Sequence, residues 1–383
     1  MSETTLPTTT CPSCGAVAPA GSRFCESCGK PLGDAAVPAP PAAASPVEDL
    51  GSGPISAPTR RKSVEPAADP GPRPCLVCQG VVGPDGYCET CGAKAPTERD
   101  HFRETPASWV AGVCDRGLVH HRNEDAMALL ASDVPGERAV LVVLDGVSNT
   151  TDSDIASLAG ARAAREVLRT PFPRGIGTPA SRTGAIAKVF GDAATAANDA
   201  VVSVTDPAST SPASATFAVA VLEQGLLAFA NIGDSRVYWL PDAGPAVQLT
   251  VDDSAAQQQM EAGVPRQVAE TSPQAHAITK WLGRDAPNLT PRTGQLEVTG
   301  PGWVLACSDG LWNYASEPEA LVAQIAAAGT SEPLALAVAL TAFANAEGGR
   351  DNITVALARV QPADTGQNAS EPATDLQQEE SDG

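Results

Sequence analysis

Short runs of apolar residues bounded by turn residues begin at about Ala107 and continue to Val360. Runs of this length, alternating or continuously apolar, predict β-strands. The predicted strands are Trp109–Cys114, Ala126–Ala131, Ala139–Leu144, Thr216–Leu222, Leu226–Ile232, Arg236–Leu240, Trp303–Cys307 and Ile353–Val360. Longer segments, the first two rich in alanine, predict helices. These are Asp154–Leu168, Thr183–Val204, Pro318–Ala328 and Pro333–Ala346.

The order of these elements indicates the class of fold. The first two helices lie between the third and fourth strands, and the last two lie before the final strand. A parallel sheet would need strands and helices to alternate along the chain, which they do not. The pattern therefore predicts an α+β fold with layers of helices on mainly antiparallel sheets.

Charge and the length of the apolar runs narrow the class of function. The 383-residue chain has 25 basic and 45 acidic residues, a formal charge of −20. Nucleic acids and anionic membranes both require a basic surface, so we expect neither as a partner. The apolar runs reach about six residues, whereas a spanning helix needs ~20. The N-terminal residues do not resemble a signal peptide, and we expect a cytoplasmic protein.

Eight of the ten cysteines form Cys-x-x-Cys pairs in two groups. The groups are Cys11, Cys14, Cys25 and Cys28, then Cys75, Cys78, Cys88 and Cys91. Each group is too short to hold a hydrophobic core, and four thiolates around Zn²⁺ supply ~10 kcal/mol of folding energy. We therefore predict two structural zinc ribbons, with redox-active thiols or bound iron as the alternatives. Cys114 and Cys307 lie in apolar surroundings and are predicted to be buried.

Two further segments have the composition of unfolded chain. Residues 33–72 contain nine proline and nine alanine residues, and this composition predicts an extended spacer. Residues 361–383 contain six acidic residues, no basic residue and a single leucine, so we expect a disordered tail.

Acidic residues recur in the turns beside the predicted strands. Asp145-Gly146 and Ser308-Asp309 follow apolar strands, and Asp351-Asn352 precedes one. Each turn alone is ordinary, but carboxylates gathered at one rim of a sheet repel each other unless a cation neutralises them. Hard oxygen ligands favour Mg²⁺ or Mn²⁺ over zinc.

Taken in order, these turns and their neighbours resemble the metal-dependent protein phosphatase family (PPM, type 2C). The resemblance covers roughly residues 107–360. The matching segments are Asp115–Asp125, Val143–Gly146, Ala230–Arg236, Leu249–Ser254, Ile278–Gly283, Cys307–Gly310 and Gly349–Thr354. The resemblance implies a four-layer αββα sandwich of two antiparallel sheets, which agrees with the α+β layering.

The resemblance also implies an activity and a set of site residues. Two Mn²⁺ or Mg²⁺ ions would bind a bridging hydroxide that attacks phosphoserine or phosphothreonine in proteins, substrates of a bacterial Ser/Thr kinase. Asp145 would bridge the ions and the Gly146 carbonyl would bind the first of them. Glu124, Asp309 and Asp351 would complete the second site, and Asp125 would order water bound to the ions.

The sequence departs from the family pattern at several positions. His120 stands where a phosphate-binding arginine is usual, and side-chain alternation places Arg122 on the same side as Glu124. Arg122 is therefore either a substitute phosphate clamp or a free surface residue. No histidine follows Asp145-Gly146 to act as a general acid. Asn313 stands where the family often has an acidic residue. Whether a third ion binds through Asp234 is therefore left open.

Two alternative functions remain at this stage. A pseudophosphatase would bind phosphoproteins or other partners through an inert sandwich, and a zinc-ribbon protein would bind nucleic acid. The first is disfavoured by the retained carboxylates and the second by the few basic and aromatic residues before residue 100. The predicted domains are a ribbon at 1–32, the linker 33–72, a ribbon at 73–96, the phosphatase domain 101–360 and the tail 361–383.

Overall fold

The computed structural model describes residues 8–10, 17–19, 80–83, 86–92, 95, 97–147, 152–173 and 175–361. The chain divides into two compact units, Met1–Asp69 and Pro70–Gly383. The predicted linker and tail and six of the eight paired cysteines lie outside the described residues, as do Ser148 and Asn149.

Most strands form where the apolar runs predict them. They are β1 (Thr8–Thr10), β2 (Val17–Pro19), β3 (His101–Ala107), β4 (Val110–Asp115), β5 (Ala126–Ala131), β6 (Arg138–Leu144), β7 (Ser214–Ala215), β8 (Phe217–Glu223), β9 (Leu226–Ile232), β10 (Arg236–Pro241), β11 (Val247–Gln248), β12 (Leu282–Gly283), β13 (Arg292–Glu297), β14 (Gly302–Cys307) and β15 (Ile353–Val360). In the first unit, β1 pairs antiparallel with β2. All other strands belong to the second unit.

The helices cover the four predicted segments and add three short ones. They are α1 (Ser153–Leu168), α2 (Pro179–Val204), α3 (Ala255–Glu261), α4 (Arg266–Glu270), α5 (Asp309–Trp312), α6 (Pro318–Ala328) and α7 (Pro333–Ala346). Within the described part of the chain, no single helix is long and apolar enough to cross a membrane. Helices α6 and α7 meet that test only when joined, and they are bent by 115°.

Two antiparallel sheets form the body of the second unit. One has the order β11-β10-β14-β15-β4-β3 and the other the order β13-β9-β8-β6-β5. Strand β6 shows how the sequence positions the layers, because its side chains alternate between two cores. Val140, Val142 and Leu144 pack towards α1 and α2, whereas Leu141 and Val143 pack between the sheets.

A third core lies on the outer side of the six-stranded sheet. Leu305 of β14 and Leu357 of β15 pack there against Leu336 and Leu340 of α7. The three cores separate four layers in the order helices, sheet, sheet, helices. This arrangement confirms the predicted αββα sandwich and leaves the strand ends, where the acidic turns lie, at the rim.

Candidate active site

Four of the predicted acidic residues line one cleft of about 230 Å³ at the rim of the sandwich. Asp145 follows β6 and Asp309 begins α5 after β14, while Glu124 and Asp351 stand just before β5 and β15. These strands come from both sheets. The fold therefore brings together carboxylates that are widely separated in the sequence.

Backbone contacts hold the Asp145-Gly146 turn in place. The Asp145 N–H donates to Thr216 Oγ1 at 2.9 Å, and the Asp145 carbonyl accepts from the Thr216 N–H at 2.8 Å. Gly146 forms a bridge with Ala215. A β-carbon at Gly146 would lie 2.7 Å from the Glu124 carbonyl oxygen, so the close approach of these two turns requires glycine.

Asn352 connects the turn before β15 to the segment that carries Glu124. Its Oδ1 accepts from the Glu124 N–H at 2.7 Å. Its Nδ2 donates to the carbonyls of Arg116 and Arg122 at 2.8 and 3.1 Å. Asp351 Oδ1 accepts from the Asn352 N–H at 2.7 Å. Asn352 thus fixes two predicted ligands relative to each other, a role that the sequence alone did not indicate.

Asp125 lies behind the cleft rather than in its lining, and its side chain is fully buried. Its Oδ2 accepts from Ser308 Oγ at 2.6 Å and from Thr354 Oγ1 at 2.8 Å. Its Oδ1 is buried and has no hydrogen-bond partner among the described residues. Burial, more than any neighbour, raises the pKa of Asp125 to about 7.

The carboxylates destabilise one another's charged forms. Burial raises the pKa of Asp309 to about 7, with a further contribution from the charge of Asp351. The pKa of Asp145 lies well above its usual range because of burial and then the charges of Asp125 and Asp309. Asp234 also lines the cleft, and burial followed by the charge of Asp309 raises its pKa well above normal. A cation would relieve this repulsion.

The donor atoms of the cleft fit hard divalent ions. Asp309 Oδ1 is buried and, among the described residues, has no hydrogen-bond partner. Hard ions such as Mg²⁺ and Mn²⁺ take carboxylate, backbone carbonyl and water oxygens, and this cleft offers the first two of these. In the described part of the chain, no group of three or more His, Cys, Asp or Glu side chains is placed so that it could hold a metal ion by itself. The fit of the cleft to such ions therefore rests on the chemistry of its donor atoms.

His120 and Arg122 occupy different positions relative to the cleft. His120 lines it, with Nε2 3.3 Å from Asp351 Oδ1. Arg122 donates from Nε and Nη2 to Glu124 Oε1 at 3.0 and 2.6 Å and is one-third exposed. Arg122 therefore faces the Glu124 side, as alternation predicts. Its guanidinium is paired with a carboxylate and is not part of the cleft lining.

The structure adds His276, a residue that sequence reasoning missed, to the cleft wall. Its ring stacks on Trp312, with centroids 6.1 Å apart and an angle of 30° between the planes. The segment that carries His276 follows α4 and lies far along the chain from the Asp145-Gly146 turn. No local pattern connects the two, because only the tertiary fold brings this segment to the strand ends.

The described part of the second cysteine group folds as a tight turn around Cys88. Val82 pairs with Cys88 across a β-bridge, and the Thr90 N–H donates to Cys88 Sγ at 3.4 Å. The Gly92 N–H donates to the Cys88 carbonyl at 2.8 Å, and Gly92 has a φ of +71°. One backbone amide of this turn, that of Thr90 between Cys88 and Cys91, is therefore directed at a cysteine sulfur.

Cys114 and Cys307 are both fully buried, as predicted. Burial raises the pKa of the Cys114 thiol to about 12 and that of Cys307 still further. Neither thiol is suited to nucleophilic chemistry at neutral pH.

Comparison with known proteins decides the family. The family model of protein phosphatase 2C matches residues 119–339, more than half of the chain. The chain belongs to the protein phosphatase 2C family. A second model, of a zinc-ribbon domain, matches residues 10–32, which include all four cysteines of the first group. Membership confirms the resemblance on which the site residues were assigned.

Two curated bacterial relatives illustrate the range of this similarity. The serine/threonine phosphatase stp of Listeria innocua is 27% identical over 261 residues, which are 67% of this chain and 97% of that protein. The serine/threonine protein phosphatase PstP of Mycobacterium tuberculosis is 32% identical over 263 residues. That alignment again covers 67% of this chain, but only 46% of PstP.

Solved structures share the sandwich. The serine/threonine phosphatase of S. agalactiae superimposes with a TM-score of 0.55 at 22% identity and covers 68% of this chain and all of that one. The PPM Ser-Thr phosphatase MsPP from Mycobacterium smegmatis, in complex with cacodylate, gives 0.50 at 26% identity. It covers 66% of this chain and 97% of that one. These neighbours confirm the fold.

Proposed function

We propose that this protein is a Mn²⁺- or Mg²⁺-dependent phosphatase that hydrolyses phosphoserine and phosphothreonine in proteins. The observation that carries the proposal is the convergence of Glu124, Asp145, Asp309 and Asp351 on one cleft in a member of the protein phosphatase 2C family. The names of the bacterial relatives support the class of substrate. Phosphoproteins made by a Ser/Thr kinase are the expected partners.

The residues proposed to hold two divalent ions are those of the cleft. Asp145 would contact both, the Gly146 carbonyl one, and Glu124, Asp309 and Asp351 would complete the set. Such ions, when bound, supply a nucleophile by lowering the pKa of water and offset charge on the phosphoryl oxygens. Asp234 is available for a third ion.

The remaining residues of the site fix these ligands. Asp125, held by Ser308 and Thr354, sets the position of the chain directly after Glu124 and orders nearby water. Arg122 orients the Glu124 carboxylate through two hydrogen bonds, and its partly exposed guanidinium is proposed as one group that meets the phosphate. His120, already in the cleft lining, is the second group proposed to meet the phosphate.

The proposed domain organisation adds two zinc ribbons before the phosphatase domain, at 1–32 and 73–96, with the linker 33–72 between them. The match of residues 10–32 to a zinc-ribbon domain supports the first. The N–H···S contact at Cys88 supports the second. Their zinc sites have no open position, so the ribbons are proposed to be structural or to bind a partner.

The full-length protein provides the test. With Mn²⁺ it should release phosphate from a phosphothreonine peptide, and EDTA should abolish that release. As a control, Asp192→Asn changes an exposed carboxylate that pairs with Lys188 on α2, and this variant should match the wild type. Equal turnover with and without EDTA would refute the metal dependence.

A further inference from the structure

His276 stands where three cavities meet. It lines the carboxylate cleft, a neighbouring cavity of about 370 Å³ and a third of about 520 Å³. These two cavities adjoin the cleft and offer space for the rest of a substrate whose phosphate enters it. For a substrate bound in this way, the imidazole would stand beside the bond that joins the phosphate to the rest of the substrate.

The tryptophan under the imidazole is buried and held by polar contacts. Trp312 is 4% exposed, and its Nε1–H donates to the Asp234 carbonyl at 2.9 Å. The Arg236 guanidinium lies 3.6 Å from the centroid of the Trp312 ring and is paired with Asp252 at 2.7 Å. These buried contacts hold the tryptophan in place, and the His276 ring stacks on it.

The reaction requires a proton donor at this point. The leaving oxygen of serine or threonine becomes a strongly basic alkoxide unless it is protonated as the bond to phosphorus breaks. The carboxylates of the cleft are assigned to cations, and His120 Nε2 faces Asp351 Oδ1. Two histidines are among the described residues that line the cleft, and His276 is the one that does not face Asp351 Oδ1.

We propose that His276 protonates the leaving alkoxide, an inference that rests on the phosphatase function proposed above. As the attacking oxygen bonds to phosphorus, the bond between phosphorus and the substrate Oγ breaks and its electron pair remains on Oγ. A ring nitrogen of the His276 imidazolium gives its proton to Oγ, which leaves as a hydroxyl group. The neutral imidazole then takes a proton from solvent, so the cycle is balanced without any further reactant.

The test compares two leaving groups on the full-length protein at saturating Mn²⁺. p-Nitrophenolate leaves as a stable anion and needs no proton, whereas the alkoxide of phosphothreonine does. His276→Gln should lower kcat for a phosphothreonine peptide by ~100-fold or more, in the range of general acid catalysis. Turnover of p-nitrophenyl phosphate should change by less than about threefold, since no general acid is needed there.

Two controls complete the experiment. His121→Gln alters an exposed histidine outside the cleft lining and should leave both substrates unaffected. Imidazole added to His276→Ala should restore part of the peptide turnover only. An equal loss on both substrates, which a structural role predicts, would overturn the proposal, as would no loss on either. A wild type inactive on both substrates would instead refute the phosphatase function.

Discussion

Asp309 carries a carboxylate whose charged form is disfavoured in the folded protein. Its pKa is raised to about 7 by burial and by the charge of Asp351. Its Oδ1 lacks a hydrogen-bond partner among the described residues. A bound cation would stabilise the charged form of this carboxylate and supply a partner for Oδ1.

From this we expect that Asp309→Asn and Asp145→Asn each abolish Mn²⁺-dependent turnover with little loss of fold. Replacing one carboxylate of the cluster by an amide removes repulsion, so the melting temperature without divalent ions should not fall. Turnover of a phosphothreonine peptide and thermal unfolding by circular dichroism measure the two effects. Near wild-type activity at saturating Mn²⁺ in either variant would contradict the assignment.

Cys114 and Cys307 provide a prediction about pH. Burial holds the pKa of the Cys114 thiol at about 12, and the pKa of Cys307 is also raised, so both stay protonated when the pH is 8. Because only the thiolate reacts, iodoacetamide should modify neither residue in the native protein, and both after unfolding in urea. Peptide mass spectrometry reads out each site. Native-state modification of either would show that the region opens.

At the scale of elements, the apolar runs predict the buried strands well. The predicted bounds of β5, β9 and β15 match the structure, as do those of α6 and α7. These strands are buried, so hydrophobic patterning dominates their sequences. A continuous run such as β6 is recognisable because both of its faces are covered.

The polar edge strands and the short helices could not be predicted in the same way. Strands β3 and β13 lie at sheet edges, and their side chains are largely exposed. Their backbone hydrogen bonds to β4 and β9 specify them, and such pairing leaves no apolar pattern in the sequence. Helices α3 and α4 are too short for periodicity to be detected.

The segment before β5 leads to a prediction about whether Arg122 binds the phosphate of the substrate. A guanidinium that grips phosphate contributes about 1.5–3 kcal/mol, or roughly 10- to 150-fold. If Arg122 is the clamp, Arg122→Ala should raise KM for a phosphopeptide by that factor, and adding His120→Arg should recover most of it.

The ion pair between Arg122 and Glu124 suggests a second role for Arg122, with a different expected result. If Arg122 only orients that carboxylate, its removal should raise the Mn²⁺ concentration needed for half-maximal activity and leave KM unchanged. His120→Arg would then restore nothing. Measuring KM for peptide and for Mn²⁺ in the same variants separates the two roles.

At the scale of the whole molecule, the sequence predicts the order of the domains and the acidic residues of the site. It does not predict which distant segments meet at the cleft. The carboxylate turns could be identified because each stands beside an apolar strand. His276 could not, since its place in the cleft depends on the position of the segment after α4 and on Trp312. The sequence identifies Asn352 only as a turn residue, whereas its side chain makes hydrogen bonds to Glu124 and Arg116, far away in the sequence.

The two cysteine groups lead to a prediction for the intact chain. Purified under reducing conditions, the protein should contain about two zinc ions, because each set of four thiolates would form a closed site. Replacing Cys88 and Cys91 by serine should lower the content to about one. Elemental analysis gives the count directly. Less than one zinc per wild-type chain would refute both ribbons.

The central claim is that the cleft binds two divalent cations through Asp145 and its neighbours. Electron paramagnetic resonance of free Mn²⁺ during titration of the full-length, zinc-loaded protein measures that binding. The wild type and Asp192→Asn should each bind two Mn²⁺ ions, and Asp145→Asn should lose at least one, because the carboxylate proposed to contact both ions is gone. Identical Mn²⁺ binding by Asp145→Asn and the wild type would contradict the account.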